Sequence, residues 1–199
     1  AMGSYPIGTD TDNLKIKKAQ EMGLIHVFDL DDSILIENVF SLTNNKGADA
    51  TIITAATISN SPIELAQKCT ASRGRIELVG VSDIHLDRKS FFENELTFAV
   101  SRGDGAGMFD DNYINKGTDY PVQYVRWTKQ RNTEYFLKLV ATGQVKIDPL
   151  VTNQYDFDAA AVGTYQQVLS GKHGTIGVIF NYQNDNSLKP LSDLRKEVY

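Results

Sequence analysis

Several things are scarce in this 199-residue chain, and each scarcity removes a class of function. There is one cysteine, Cys69, so no internal disulfide framework is available, and a reducing cytoplasm is the compartment it fits. No apolar run approaches the roughly 20 residues that span a bilayer. Basic residues are outnumbered, 20 Lys and Arg against 25 Asp and Glu, and the net charge of -5 argues against nucleic acid or an anionic membrane as partner. The three histidines, His26, His85 and His173, lie far apart, and neither Cys nor carboxylate stands at ligand spacing to any of them, so zinc has no support in these residues. No local motif marks a Ser-His-Asp arrangement. What remains is an ordinary soluble composition, 41% hydrophobic and 23% charged, in a chain long enough for one domain or one and a part. Residues 1–4 (AMGS) read as a cloning scar.

The stretch from Gly47 to Val81 is the most informative. Ala50 to Ala56 (ATIITAA) is a short apolar run with the character of a strand buried on both faces. Ser61 and Pro62 open a helix, a hydroxyl cap followed by proline at the first position. Ile63, Ala66 and Thr70 share a face, with Leu65 and Cys69 beside it; Cys69 reads as a small core residue. Arg73-Gly74 is the expected helix end, and Arg75 to Val81 (RIELVGV) a second strand. Strand, helix, strand in this order predicts a right-handed crossover in a parallel sheet. Ligands of such sheets bind beyond the carboxyl ends of the strands, here Ala55-Ala56-Thr57 and Gly80-Val81-Ser82.

The same alternation starts earlier. Tyr5 to Asp10 reads as a strand, Asn13 to Met22 as a helix capped by Asp12, Ile25 to Phe28 as a strand and Ile34 to Leu42 as a helix. Together these predict a doubly wound, Rossmann-like α/β fold with a mostly parallel sheet. Later come a strand at Leu96 to Ser101, a long irregular segment, a helix from Thr128 to Thr142 and a strand at Leu150 to Tyr155. A helix from Asp156 or Asp158 to Leu169, a strand at Thr175 to Phe180 and a weak terminal helix in LSDLRKEVY complete the reading. The expected divisions are residues 5–143 for the partial nucleotide-binding domain, 144–182 for a strand-helix-strand extension that would rejoin a catalytic domain, and 183–199 for a polar linker or tail.

Asp10 is the sharpest candidate. A carboxylate closing a parallel strand can accept both hydroxyls of an adenosine ribose and would repel a 2′-phosphate, which favours NAD over NADP; it can equally open a turn or cap alongside Asp12. The G-x-G-x-x-G phosphate loop expected about 20 residues earlier does not fit in the nine residues before it. Gly103, Gly105 and Gly107 form a run after a strand, which is either a phosphate loop or, more in keeping with the polar residues that follow, a flexible one. Asp29, Asp31 and Asp32 are read as a solvated helix entry ahead of a cation site. Arg126, Lys129 and Arg131 surround Trp127, an arrangement that can hold an anion or anchor the loop to the body.

Asp10 to Gly23, GADATIITAAT and GRIELVGV resemble the second half of the nucleotide domain of medium-chain, zinc-type alcohol dehydrogenases. DDNYINKGTDYPVQYVRWTKQRN with GQVKIDPLVTNQYDF resembles, more narrowly, the dehydrogenase half of bacterial bi-domain oxidoreductases found in surface-polysaccharide settings. The resemblance implies NAD(P)-dependent chemistry on an alcohol or carbonyl of a small, sugar-related substrate. It places Asp10 at the ribose and Ala56, Thr57, Gly80, Val81, Ser101 and Arg102 along the cofactor cleft. It also implies an internal fragment without first strand, phosphate loop or N-terminal catalytic domain, inactive alone. The expected consequence is a pair of bare edges, on YPIGTD and ATIITAA, that meet directly, are filled by TIGVIF, or pair between chains in a homodimer. The runner-up is a non-catalytic interaction module with a vestigial nucleotide cleft.

Overall fold

The computed structural model describes residues 3–157, 165, 166, 168 and 175–182. Its elements alternate as the sequence predicts. Strand β1 (Ile7–Asp10) leads through α1 (Asn13–Glu21) to β2 (His26–Asp29), and the two strands pair in parallel, Ile7 opposite His26 and Asp10 opposite Asp29. Asp12 caps α1, its carboxylate accepting the Leu14 N–H at 2.9 Å. The chain then passes through α2 (Leu35–Leu42) to β3 (Ala48–Ile53), α3 (Ser61–Cys69) and β4 (Thr70–Leu78), and through α4 (Arg88–Asn94) to β5 (Thr97–Val100). Strands β3, β4 and β5 form a second parallel sheet in that order.

Three differences from the sequence reading have physical causes. Helix α3 stops at Cys69, four residues before Arg73. Thr70 turns to an extended conformation, bonds its hydroxyl back to the Ala66 carbonyl at 2.7 Å, and meets the Thr51 hydroxyl on β3 at 2.7 Å. Arg73 and Gly74 therefore lie inside β4, where the register against β3 shifts. Arg73 takes a left-handed φ of 64° there, and a Cβ on Gly74 would stand 2.5 Å from Thr70 Cγ2, so the glycine serves a bulge in place of a helix end. Second, β3 is not buried on both faces: Ile53 is 5% exposed but Ile52 is 66% exposed. One face lies on α3 and α4, where Ile53, Ile63, Ala66, Ile76 and Leu78 form a core with Phe91, Leu96 and Phe98. Among the described residues no helix covers the other face. Third, helix α4 was not anticipated, although Asp87 caps it by accepting the Lys89 and Ser90 N–H groups.

A second core joins α2 and α3. Leu35, Val39 and Cys69 are buried there, with Ile7, Phe28, Leu30, Ile36 and Leu65 packed against them. Burial raises the Cys69 thiol pKa above its ordinary value, the expected chemistry of a packed and unreactive cysteine.

Beyond β5 the irregular segment is held by side chains. It contains a short helix, α5 (Asp111–Ile114), and leads to α6 (Lys129–Ala141), whose cap Thr128 is fully buried. The last described strands, β6 (Val151–Asp156) and β7 (Gly177–Asn181), pair only with each other. The bare-edge expectation is thus resolved in one respect: β1 and β3 do not meet, and TIGVIF lies on β6 instead of between them. The predicted helix up to Leu169 falls mostly on residues 158–174, outside the described residues but for 165, 166 and 168, and the terminal helix lies outside them altogether.

Candidate functional site between two sheet edges

The carboxyl ends of β3 and β4 are stitched together past the regular ladder. Gly80 N–H donates to the Ile53 carbonyl at 2.9 Å, Val81 N–H to the Ala55 carbonyl at 3.0 Å, and Thr57 N–H to the Val81 carbonyl at 2.8 Å. A Cβ on Gly80 would come within 2.0 Å of the Ala55 oxygen, so only glycine permits this approach. Ala56, Thr57, Gly80 and Val81 therefore share one end of the sheet. Ser101 continues the row, its N–H donating to the Leu78 carbonyl at 2.8 Å and its hydroxyl to the Glu77 carboxylate at 2.7 Å. That hydroxyl, with Arg75 second, holds the Glu77 carboxyl below its ordinary range. Arg102 turns away and stacks on Phe109, 5.1 Å from the ring centre.

Asp10 ends β1 across a cavity of about 810 Å³. The cavity is bordered by β1 on one side and by β3 with Thr54, Ala55 and Ala56 on the other, and floored by Leu35, Val39, Leu65 and Cys69. Of the sequence candidates, Asp10 and Ala56 line it; Thr57, Gly80 and Val81 lie one bond further along, and Ser101 and Arg102 on the next strand. Asp10 Oδ1 accepts the Asp12 N–H at 2.9 Å, which is the turn-opening role, and stands 3.9 Å from Lys15 Nζ. Its Oδ2 takes no hydrogen bond among the described residues. Lys15 was missed by sequence reasoning; its position in the first turn after the Asp12 cap is the signal that places it on the Asp10 side.

The last glycine of the run, Gly107, is packed, whereas Gly103 and Gly105 face open space. A Cβ on Gly107, whose φ is 89°, would stand 2.7 Å from both the Tyr113 and Tyr120 rings, so aromatic packing claims that glycine. Lys129 binds Asp104 at 2.6 Å, and the Tyr120 hydroxyl donates to Asp110 at 2.6 Å. This donation lowers the Asp110 carboxyl pKa and raises that of the Tyr120 phenol. Arg131 binds Asp119 at 2.6 Å and donates to the carbonyls of Tyr120 and Val125, with a longer bond to that of Arg126 at 3.3 Å. It is a clamp on the chain, with its donors spent internally. Trp127 is half-exposed against Tyr135, with Arg126 over its ring at 5.7 Å. Asp29 and Asp32 each accept a backbone N–H within the turn before α2, the helix-entry role. Among the described residues no group of three His, Cys, Asp or Glu side chains can hold a metal ion. No helix among them is long and apolar enough to cross a membrane.

Strands ordered β2-β1 and β3-β4-β5, with helical crossovers, define a Rossmann-like nucleotide-binding class. The family model for zinc-binding dehydrogenases matches residues 1–118, and the chain belongs to that family. The fold is similar to an alcohol dehydrogenase from Thermus sp. ATN1 (TM-score 0.63, 15% identity, covering 89% of this chain and 43% of that one). It is also similar to 2R,3R-butanediol dehydrogenase from Bacillus subtilis (TM-score 0.64, 15% identity, 89% and 44%). An alcohol dehydrogenase from Escherichia coli CFT073, solved with the cofactor NADH, matches at TM-score 0.59 and 17% identity (85% and 42%). The chain spans less than half the length of each of these structures.

Proposed function

We propose that this chain supplies the cofactor-holding half of an NAD(P)-dependent oxidoreductase that acts on an alcohol or carbonyl of a small, sugar-related molecule, as in the bi-domain enzymes that the DDNYINKGTDYPVQYVRWTKQRN stretch resembles. The observation that carries this reading is the single cavity that Asp10 shares with Ala55 and Ala56, at the carboxyl ends of strands whose crossovers diverge. The residues present fit the ribose end of the cofactor. Asp10 has a free carboxylate oxygen toward the cavity, and Thr57, Gly80, Val81 and Ser101 extend the same rim. The pyrophosphate end has no glycine-rich turn among the described residues. Bound nicotinamide would supply the hydride donor or acceptor, while this chain's part is to grip and orient the adenosine end. Without a phosphate cradle that grip is weak, so the 199-residue chain alone is expected to show no turnover.

Saturation-transfer NMR with NADH and NADPH, which reads weak binding directly, is the test. NADH should give the stronger signal, and Asp10→Ala should remove the preference, because the carboxylate both accepts ribose hydroxyls and repels a 2′-phosphate. Equal signals from the two nucleotides on the unaltered chain would refute the assignment of Asp10. The second reading, an interaction module with a vestigial cleft, is favoured by one observation, the open apolar cavity between β1 and β3.

A further inference from the structure

We propose that the Asp104-Gly105 bond is a site of covalent modification, the formation of isoaspartate, and that Lys129 restrains it. This is the single Asp-Gly pair of the chain, and no Asn-Gly occurs. Gly105 has no side chain to obstruct attack by its nitrogen, and a Cβ built on it would meet nothing within 4 Å. Its N–H donates to the Arg102 carbonyl at 3.0 Å, closing a turn with Gly103 and Asp104 at its centre. The other acids of the segment are each held by two groups. Asp110 accepts the Tyr120 hydroxyl and the Asn112 N–H, Asp111 binds Asn115 and Lys116, and Asp119 binds Arg131 and the Tyr120 N–H. Among the described residues Asp104 has one partner, the Lys129 ammonium, 2.6 Å from its Oδ1.

The chemistry needs only the chain and water. The Gly105 nitrogen attacks the carboxyl carbon of Asp104: the N–Cγ bond forms, a Cγ–O bond breaks, and that oxygen leaves as water with the amide proton and one proton from solvent. Water then adds to either carbonyl of the succinimide. Opening at Cγ restores aspartate, whereas opening at the main-chain carbonyl leaves the chain running through Cγ, with a carboxylate on the α-carbon. Attack requires nitrogen and carbon to close to about 3–3.5 Å. The carboxylate must therefore swing off Lys129, and the Gly105 N–H must leave the Arg102 carbonyl. The bond to Asp104 raises the Lys129 pKa, so the restraining charge is present at neutral pH. In the product the main chain is one methylene longer and the carboxylate one methylene shorter, which takes it away from Lys129. The tie between the chain just past Arg102 and the start of α6 is then lost, while the Arg131 clamp remains. No nucleotide takes part, so this inference stands or falls apart from the cofactor reading.

The test is to keep the purified chain in warm, neutral buffer made with heavy-oxygen water and to sample it over days. Tryptic peptide 103–116 is then analysed by mass spectrometry with electron-transfer fragmentation, which separates isoaspartate from aspartate and reads the oxygen taken up from solvent. Isoaspartate should accumulate at residue 104 ahead of residues 110 and 111 in the same peptide. Lys129→Met should raise its rate about twofold to fivefold, the range open to an exposed ion pair, and Lys129→Arg should keep it near that of the unaltered chain. Molar salt, which screens exposed pairs, should also raise the rate in the unaltered chain. Hydrogen exchange at residues 102–107 should quicken as the modified fraction grows. Absence of isoaspartate at residue 104 would overturn the proposal, as would a rate unmoved by Lys129→Met in a variant with unaltered circular dichroism. If that variant does not fold, a rate unmoved by salt would overturn it instead.

Discussion

Replacing Gly80 with alanine tests whether the carboxyl ends of β3 and β4 are held together by backbone approach. The new methyl carbon would stand 2.0 Å from the Ala55 carbonyl oxygen, 2.7 Å from the Thr54 carbonyl carbon and 2.8 Å from that of Ala55. All three are backbone atoms, so no side chain can rotate away, and β3 must move by about 1.4 Å to bring the 2.0 Å approach to an ordinary 3.4 Å contact. That movement stretches three bonds at once: Gly80 N–H to Ile53 at 2.9 Å, Val81 N–H to Ala55 at 3.0 Å and Thr57 N–H to Val81 at 2.8 Å. Overpacking of this kind costs roughly 1–3 kcal/mol. Losing or weakening two or three exchanged hydrogen bonds adds about 0.5–1.5 kcal/mol each. The expected destabilisation is about 3–5 kcal/mol, a large share of the roughly 5–15 kcal/mol of a typical domain. Urea unfolding monitored by circular dichroism measures it, and hydrogen exchange locates it, with faster exchange at Thr57 and Val81 before the β4-β5 ladder is affected. A loss below about 1 kcal/mol with unchanged exchange at those amides would show that the strand ends are not joined as described.

Two further outcomes concern the segment between β5 and α6. Arg131→Met removes the side-chain donors that reach the carbonyls of Tyr120 and Val125 and the carboxylate of Asp119, leaving that carboxylate the Tyr120 N–H at 2.9 Å; proteolysis within residues 119–128 should accelerate while α6 keeps its Thr128 cap, and an unchanged cleavage rate would show that Arg131 is no clamp. The Asp110 carboxyl is held below its ordinary range chiefly by the Tyr120 hydroxyl, so its contribution to the fold is complete above the unfolded value of about 4 and is lost as pH falls through the lower folded value. Tyr120→Phe should raise the Asp110 midpoint and move the loosening of the loop to higher pH; carboxyl carbon shifts by NMR report this, and an unmoved midpoint would exclude the hydroxyl as its cause.

The elements most readable in the sequence were those whose signals are local. Asp12 and Pro62 mark helix starts through a cap or a fixed φ and both stand at helix starts, but Ser61, read as the hydroxyl cap, is itself the first residue of α3, with Asn60 at the cap position and no side-chain bond there. Arg73-Gly74 misled because a glycine announces an unusual backbone requirement without saying which one, and the bulge in β4 claims it. The apolar run ATIITAA reads as buried on both faces because hydrophobicity records what a residue prefers, whereas Ile52 is exposed for want of a covering element among the described residues. Asp10 was legible as a strand-ending acid, but Lys15 beside it depends on how α1 leaves the turn. Arg131 carries no motif at all: its carbonyl partners lie five to eleven residues upstream, and only the folded path of the chain gathers them.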